Sequence, residues 1–206
     1  MNEVAAILSG SVVSGLGDND CFLADSLAQL NDAFLRTLLA WAAHDGVDVA
    51  SRMFGMPAET LEVLTKRLVG SEACRSFGRE PFSFLTLDCG RVALADSPAG
   101  RIGPVTRKQP GREHFRLLQV VQCMYVDIVR AVQREQPLVI DALLGVPAEG
   151  RHAIDHMVRD PSAWMQTTRP WVVARSLFVR RVCSPQWASL ERYSALVDML
   201  LTGVDT

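Results

Sequence analysis

Apolar side chains recur at helical spacing along the first part of the chain and predict a run of helices. Residues 26–44 carry them at intervals of three and four, which is the broad stripe of a helix with one buried face. Residues 47–54 predict a second helix that ends at Gly55, because glycine tolerates the left-handed conformation found after a helix C-terminus. Pro57 suits the first position of a third helix, which extends to about Leu68.

Two segments have the aromatic and β-branched composition of strands. The first covers residues 82–87 and is bounded by Pro81 and Asp88, and the second covers residues 171–179. Each is predicted as one short strand in an otherwise helical chain.

The second part of the chain repeats the order of elements in the first. A long helix predicted over residues 114–134 is followed by a short helix over residues 138–144, which ends at Gly145. Pro147 then starts another helix, and residues 184–201 predict an additional helix at the C-terminus.

A shift of 90 positions aligns the two parts without a gap. The pentad 55–59 falls on 145–149, and both read Gly-x-Pro-Ala-Glu, while Leu27 falls on Leu117. We interpret the chain as two diverged copies of one small helical unit. The alternative is that any two helix–Gly–Pro–helix hairpins would align comparably.

The predicted fold is mainly α, with two copies of a small helical unit that carry one short β-strand each and pack as a pseudo-dimer. In chain order we predict a loose N-terminal lead-in (1–20), a first repeat (21–95), a Pro/Gly-rich basic linker (96–112) and a second repeat with an extra C-terminal helix (113–206).

Charge is distributed unevenly, although a net charge of −2 gives no general affinity for nucleic acid. Residues 1–35 hold five acidic residues and no Lys or Arg, whereas residues 151–192 hold seven Arg against three acidic residues. A local basic patch could therefore contact DNA phosphates, and its candidates are Arg101, Arg107, Lys108, Arg112, Arg175, Arg180 and Arg181. The alternative is a solvated loop and a charged strand edge, where Arg discourages unwanted strand pairing.

Three tryptophans of the second part are the candidate partner-binding residues. If Trp164, Trp171 or Trp187 is exposed, it would indicate a protein-binding surface, because tryptophan is enriched at interface hot spots. The alternative is that they belong to the core.

Residue types that carry catalysis, metal binding or membrane insertion form no recognisable motif. The five cysteines are odd in number and widely spaced without a CxxC pair, which indicates reduced cytoplasmic thiols. His152 and His156 lie one helical turn apart but lack a third ligand on that face, so no metal or other cofactor is predicted. Because nucleophile, phosphate-loop and dinucleotide motifs are absent and no run of residues suits a membrane span, we predict a non-enzymatic protein that does not bind membranes.

Residues 51–64 have the spacing of a helix-turn-helix. Ser51 and Gly55 let two helices approach closely, and Leu61 and Leu64 would lock the second helix. The second helix exposes Glu59 and neighbouring acidic side chains where a reading helix meets DNA, so packing is the alternative interpretation.

The segment 30–66, followed by 82–88, resembles the D subunit of the bacterial flagellar master activator, the FlhD family. That family opens with a long helix, passes through an Ala-Ser-x-Met-Phe hairpin and reaches a short aromatic strand that ends in Asp. Residues 50–54 and 82–88 stand in those places here, although Gly55 comes earlier than the family's glycine.

The resemblance implies a small helical protein that dimerises and joins a second, zinc-binding C subunit (FlhC-like). Together such subunits bind promoter DNA and recruit RNA polymerase, and two fused copies would correspond to one D dimer within a single chain. The family's C-terminal helical segment, which is linked to DNA contact, is replaced in the first copy by the Pro/Gly-rich segment 96–111 and is kept only in the second as 184–201.

The predicted function is therefore a transcriptional activator subunit in a heteromeric FlhDC-like complex on promoter DNA. The alternative is a protein-only interaction module, such as an adaptor, an anti-activator or a secretion-associated chaperone.

Overall fold

The computed structural model describes residues 18–68, 71–80, 82–96, 113–135, 140–146, 150 and 170–183. This part of the chain is mainly helical and contains one two-stranded sheet, as the sequence predicts. Its elements in chain order are α1 (Asp18–Asp45), α2 (Val47–Phe54), α3 (Ala58–Arg67), α4 (Ser71–Gly78), β1 (Leu85–Leu87), α5 (Cys89–Asp96), α6 (Glu113–Glu135), α7 (Ile140–Leu144), β2 (Val172–Ala174) and α8 (Ser176–Cys183). We refer to residues 18–96 as the first half and residues 113–183 as the second half.

α2 and α3 follow the predicted boundaries closely, α1 starts earlier than predicted, and the three helices show why the chain turns between them. α2 ends at Gly55, whose φ of 66° is in the left-handed region, and the Met56 N–H donates to the Ser51 carbonyl at 3.1 Å. Pro57 precedes α3 rather than occupying its first position, because its ψ of 139° is extended. α1 begins at Asp18, inside the segment predicted as a loose lead-in.

The long and short helices of the second half repeat this layout. α6 matches the predicted helix 114–134 to within one residue at each end. α7 ends at Gly145, whose φ of 61° is again left-handed, and the Gly145 N–H donates to the Asp141 carbonyl at 2.9 Å. A glycine in the left-handed conformation therefore follows a short helix in each half.

The strand predicted within residues 171–179 is present as β2, but its predicted extent is wrong, because α8 begins at Ser176. Phe178 and Val182 lie one helical turn apart and both are buried, so core packing selects a helix despite their strand propensity. The helices α4 and α5 are not predicted from the sequence.

Several predicted features lie outside the described residues. They are the linker apart from Asp96, the helix that starts at Pro147, the pair His152 and His156, and the helix 184–201.

The core contains aromatic rings from both halves. Phe178 of α8 stacks on Phe84 with ring centroids 4.4 Å apart, and its edge meets Phe34 at 5.8 Å. Phe34 in turn meets Phe54 at 5.7 Å. A helix of the second half is thus packed into the body of the first.

The two long helices lie side by side across the halves. His114, in the first turn of α6, packs on Trp41 near the end of α1, and the Trp41 indole N–H donates to the His114 carbonyl at 3.2 Å. Since α1 and α6 also share the most extensive contact in the described fold, α6 runs back along α1.

Burial along the two long helices matches at an offset of 91 rather than 90. At 90, the fully buried Leu30 would match Val120, which is 52% exposed. At 91, six buried residues of α1 match six of α6: Leu27, Leu30, Asn31, Phe34, Leu38 and Trp41 correspond to Leu118, Val121, Gln122, Tyr125, Val129 and Val132. The burial pattern therefore does not follow the ungapped register, although Gly55 and Gly145 keep the offset of 90.

Candidate functional site

The two halves meet at the sheet, where β1 and β2 pair antiparallel with Thr86 opposite Val173. Gly55 lies against Val173, since a Cβ placed on Gly55 would be 3.5 Å from the Val173 Cβ. On the other side the Thr86 hydroxyl donates to the Gly145 carbonyl. Each strand is thus covered by the helix end of the opposite half, in an arrangement close to two-fold.

The hydrogen bonds at the two ends of the sheet have the same symmetry. The Asp88 N–H donates to the Trp171 carbonyl at 2.9 Å, and the Arg175 N–H donates to the Phe84 carbonyl at 2.8 Å. The two-fold relation maps each residue of β1 onto the residue of β2 that lies 87 positions later, so Leu85 corresponds to Val172. The junction therefore resembles the isologous interface of a symmetric dimer, built within one chain.

Asn31, which is fully buried on α1, holds the entry to β1 with three hydrogen bonds. Its Oδ1 accepts from the Phe84 N–H at 2.9 Å. Its Nδ2 donates to the carbonyls of Gly78 and Phe82 at 3.1 and 2.9 Å. One amide side chain thus satisfies three main-chain groups of the segment that links α4 to β1.

Gln122 has the corresponding place in the second half. Its Oε1 accepts from the Trp171 N–H at 3.1 Å, and it lies 91 positions after Asn31, in the register that the burial pattern gives. Both long helices therefore position a strand through a buried amide side chain. A polar residue inside each apolar stripe was the only sequence signal for this pair.

Two arginines bind the carbonyl-rich C-terminal ends of the short helices. Arg91 of α5 donates to the carbonyls of Arg52 and Met53 at the end of α2, and also to the Pro170 carbonyl at 3.0 Å. Arg175 donates to two carbonyls at the end of α7, at 3.0 and 3.1 Å. Cations are stabilising at helix C-termini, so these contacts strengthen the junction.

The described members of the predicted DNA-binding set divide into buried and exposed residues. Arg175 and Arg181 are each 8% exposed, and Arg181 forms an ion pair with Glu80 at 3.1 Å. Their guanidinium groups are engaged inside the fold, which removes both from the solvent-facing surface that DNA would contact. Arg180 is exposed in the last turn of α8. Four candidates lie outside the described residues: Arg101, Arg107, Lys108 and Arg112.

Of the three candidate partner-binding tryptophans, the structure describes Trp171. It is 3% exposed and its ring packs edge-on against Tyr125 with centroids 6.5 Å apart, so it belongs to the core. Trp164 and Trp187 lie outside the described residues.

The α2–α3 hairpin has the packing expected of a helix-turn-helix, with Leu61 and Leu64 fully buried. α3 packs on α8, where the Thr60 hydroxyl and the Cys183 thiol are 3.2 Å apart. Glu59 and Glu62 are exposed on the opposite face, at the end that a recognition helix inserts into the major groove. That face is acidic where DNA phosphates would require positive charge.

The environments of the Cys74 and Cys123 thiols do not favour nucleophilic activation. Burial raises the pKa of the Cys74 thiol, with a further rise from nearby Asp32, and burial likewise raises the pKa of Cys123. A raised pKa reduces the thiolate fraction, which is the reactive form. Among the residues that the structure describes, no three His, Cys, Asp or Glu side chains are grouped to hold a metal ion.

No protein-family model, curated protein sequence or solved structure matches this chain. The resemblance to the FlhD family therefore stays a prediction from the residues that carry it. None of the helices in the described ranges is long and apolar enough to cross a bilayer.

Proposed function

We propose that this chain is a non-enzymatic subunit of a heteromeric transcription activator, and that it supplies a two-fold scaffold for a DNA-contacting partner. The observation that supports the proposal is the sheet junction, where β1 and β2 and the hydrogen bonds at their ends are related by a near two-fold axis. Two-fold regulators suit promoter DNA because operator half-sites are commonly related by a two-fold axis. The residues that resemble the FlhD family point the same way, and they imply a zinc-binding, FlhC-like partner.

The charges on the described surface favour a partner as the main DNA-binding chain. Arg175 and Arg181 are buried, and the exposed face of α3 begins with Glu59 and Glu62. Phosphate binding depends on clustered Lys and Arg that displace counterions. Arg180 and the basic residues of the linker remain the chain's own candidates for contact with the DNA backbone.

The experiment that tests this function is co-expression with a Cys-rich, zinc-binding protein encoded beside it. We expect a stable complex that binds the neighbouring promoter in an anisotropy assay, with affinity falling by about 10³ or more between about 50 and 200 mM salt. We expect no measurable promoter binding by this chain alone. A partner that neither co-purifies nor confers promoter binding would contradict the proposal.

A matched pair of variants tests whether Arg180 touches phosphate within that complex. Arg180→Gln is expected to lower the slope of log affinity against log salt by about one, as the loss of one phosphate contact should. Arg116→Gln removes another exposed helical arginine, outside the predicted set, and should leave the slope unchanged. If the slope of log affinity against log salt is the same for the two variants, Arg180 does not contact a phosphate.

The second candidate function is a protein-only interaction module, and the acidic face of α3 is the observation that favours it. Exposed Glu59 and Glu62 suit a basic protein partner better than DNA, and the net charge of the chain is −2. A complex that forms with a protein partner but shows no DNA affinity even at low salt would select this function.

A further inference from the structure

The buried ion pair between Glu80 and Arg181 joins residues from opposite halves. Arg181 donates to Glu80 Oε1 through Nη2 at 3.1 Å and through Nε at 3.4 Å. The two side chains are 8% and 7% exposed, so solvent screens the pair little. The pair fixes α8 of the second half against the end of α4 in the first.

α8 packs one face, with Phe178, Arg181 and Val182 buried, against elements of the first half. Phe178 lies between Phe34 and Phe84, and Cys183 lies 3.2 Å from the Thr60 hydroxyl at the far end. The groove that receives α8 is therefore formed by α1, α3 and the segment around β1. Because the halves are similar, a groove of this kind must accept the correct helix and reject its counterpart.

The counterpart positions lack this pair of charges. At the offset of 87 that relates the strands, Arg181 corresponds to Leu94 in the sequence of α5. For offsets of 87 to 90, Glu80 corresponds to one of the positions 167–170. None of these positions holds an acidic residue; they are Thr167, Thr168, Arg169 and Pro170. By sequence, only one of the two quasi-equivalent places thus has a pair of residues with opposite charge.

We propose that the Glu80–Arg181 pair favours packing of the first half against α8 of the second half and disfavours pairing of the first half with a second copy of itself. If two first halves from different chains paired through β1, α5 would take the place of α8 and would bring a leucine where α8 brings Arg181. Glu80 would then be buried without its counter-ion. Removing one partner of a buried pair is far more costly than replacing both with apolar residues. The pair therefore acts against homotypic association more than it adds to stability, and this role does not depend on the proposed activator function.

The first experiment replaces both charges in the full chain with apolar side chains of similar length, as Glu80→Met with Arg181→Met. A Thr86→Cys substitution is added as a reporter. Thr86 sits opposite Val173 in the native sheet, so two chains become linked through position 86 only when two first halves pair. We expect oxidised disulfide dimers, seen on non-reducing gels, to be at least tenfold more abundant with the apolar pair than with the native pair. The same chains without Thr86→Cys correct for links through native cysteines. Equal dimer yields from a folded apolar variant would overturn the proposal.

The second experiment stays decisive even if the apolar variant does not fold. Glu80→Arg and Arg181→Glu are made in separate chains, each of which then carries like charges across the pair. Co-refolded in equal amounts, the two chains can restore both ion pairs by exchanging halves, which predicts a 1:1 complex by native mass spectrometry and sedimentation. Glu80→Arg with Arg181→Glu in one chain is the control, and it should fold without a second chain. A mixture that behaves as the sum of its separate components would overturn the proposal.

Discussion

Asn31 gives the sharpest prediction about what positions β1 against α1 in the first half. Replacing it with Leu keeps the number and branching of the side-chain heavy atoms, but it removes all three hydrogen bonds to the Phe84 N–H and to the carbonyls of Gly78 and Phe82. Each buried main-chain group left without a partner costs about 1–3 kcal/mol, so the variant should lose at least about 3 kcal/mol of unfolding free energy. That is a large share of the about 5–15 kcal/mol typical of a native domain.

The assay is urea unfolding followed by circular dichroism at equilibrium, and the control is Gln122→Met. Gln122 occupies the corresponding place in the second half and, among the described residues, holds one main-chain group, the Trp171 N–H at 3.1 Å, so its replacement should cost about 1–3 kcal/mol. Asn31→Asp keeps the acceptor for Phe84 while placing an oxygen against two carbonyls, and it should also destabilise. If Asn31→Leu costs no more than Gln122→Met at an unchanged m-value, the role given to Asn31 is wrong.

Three further changes test the helix ends and the core. Gly145→Ala should cost more stability than Gly55→Ala. Both positions need a left-handed residue, but only the Cβ at position 145 would lie 2.8 Å from the Arg175 Nε. The urea midpoints of the two variants test this difference. Gly78→Ala should lower the thermal midpoint despite alanine's better helix propensity, since its Cβ would lie 3.1 Å from a backbone nitrogen of α1; an unchanged or higher midpoint would contradict this packing. Burial raises the pKa of Tyr125 above its usual value of about 10. The unfolded state therefore ionises first, and stability should fall as pH rises above about 10 but not below it; Tyr125→Phe should flatten that dependence in urea titrations.

The features that the sequence predicts well are those decided within a few residues. Gly55 and Gly145 end their helices because a left-handed residue is needed there, and this requirement is visible in the chain itself. The apolar stripe of α1 is similarly local, since helical spacing alone decides which face is buried.

The features that the sequence does not predict depend on distant partners. Arg181 is buried because Glu80, 101 residues earlier, provides its counter-ion, so a count of nearby charges wrongly assigns Arg181 to the surface. α8 is helical because Phe178 completes an aromatic cluster with Phe34 and Phe84, which outweighs the strand propensity of its residues. Neither partner can be inferred from the segment in which the residue lies.

The decreasing offset between the halves explains why their likeness is clearer in geometry than in sequence. Corresponding positions are 91 apart in the long helices, 90 at the glycines and 87 in the strands, so no single shift aligns all of them. A hydrogen bond from the main chain beside each strand to its long helix is present in both halves, but different amide side chains accept it: Asn31 in the first half and Gln122 in the second. Main-chain geometry constrains the type of bond at these places, but several side chains can supply it. The two halves are therefore alike in the main-chain groups that are held at each strand, and they differ in the side chains that hold them.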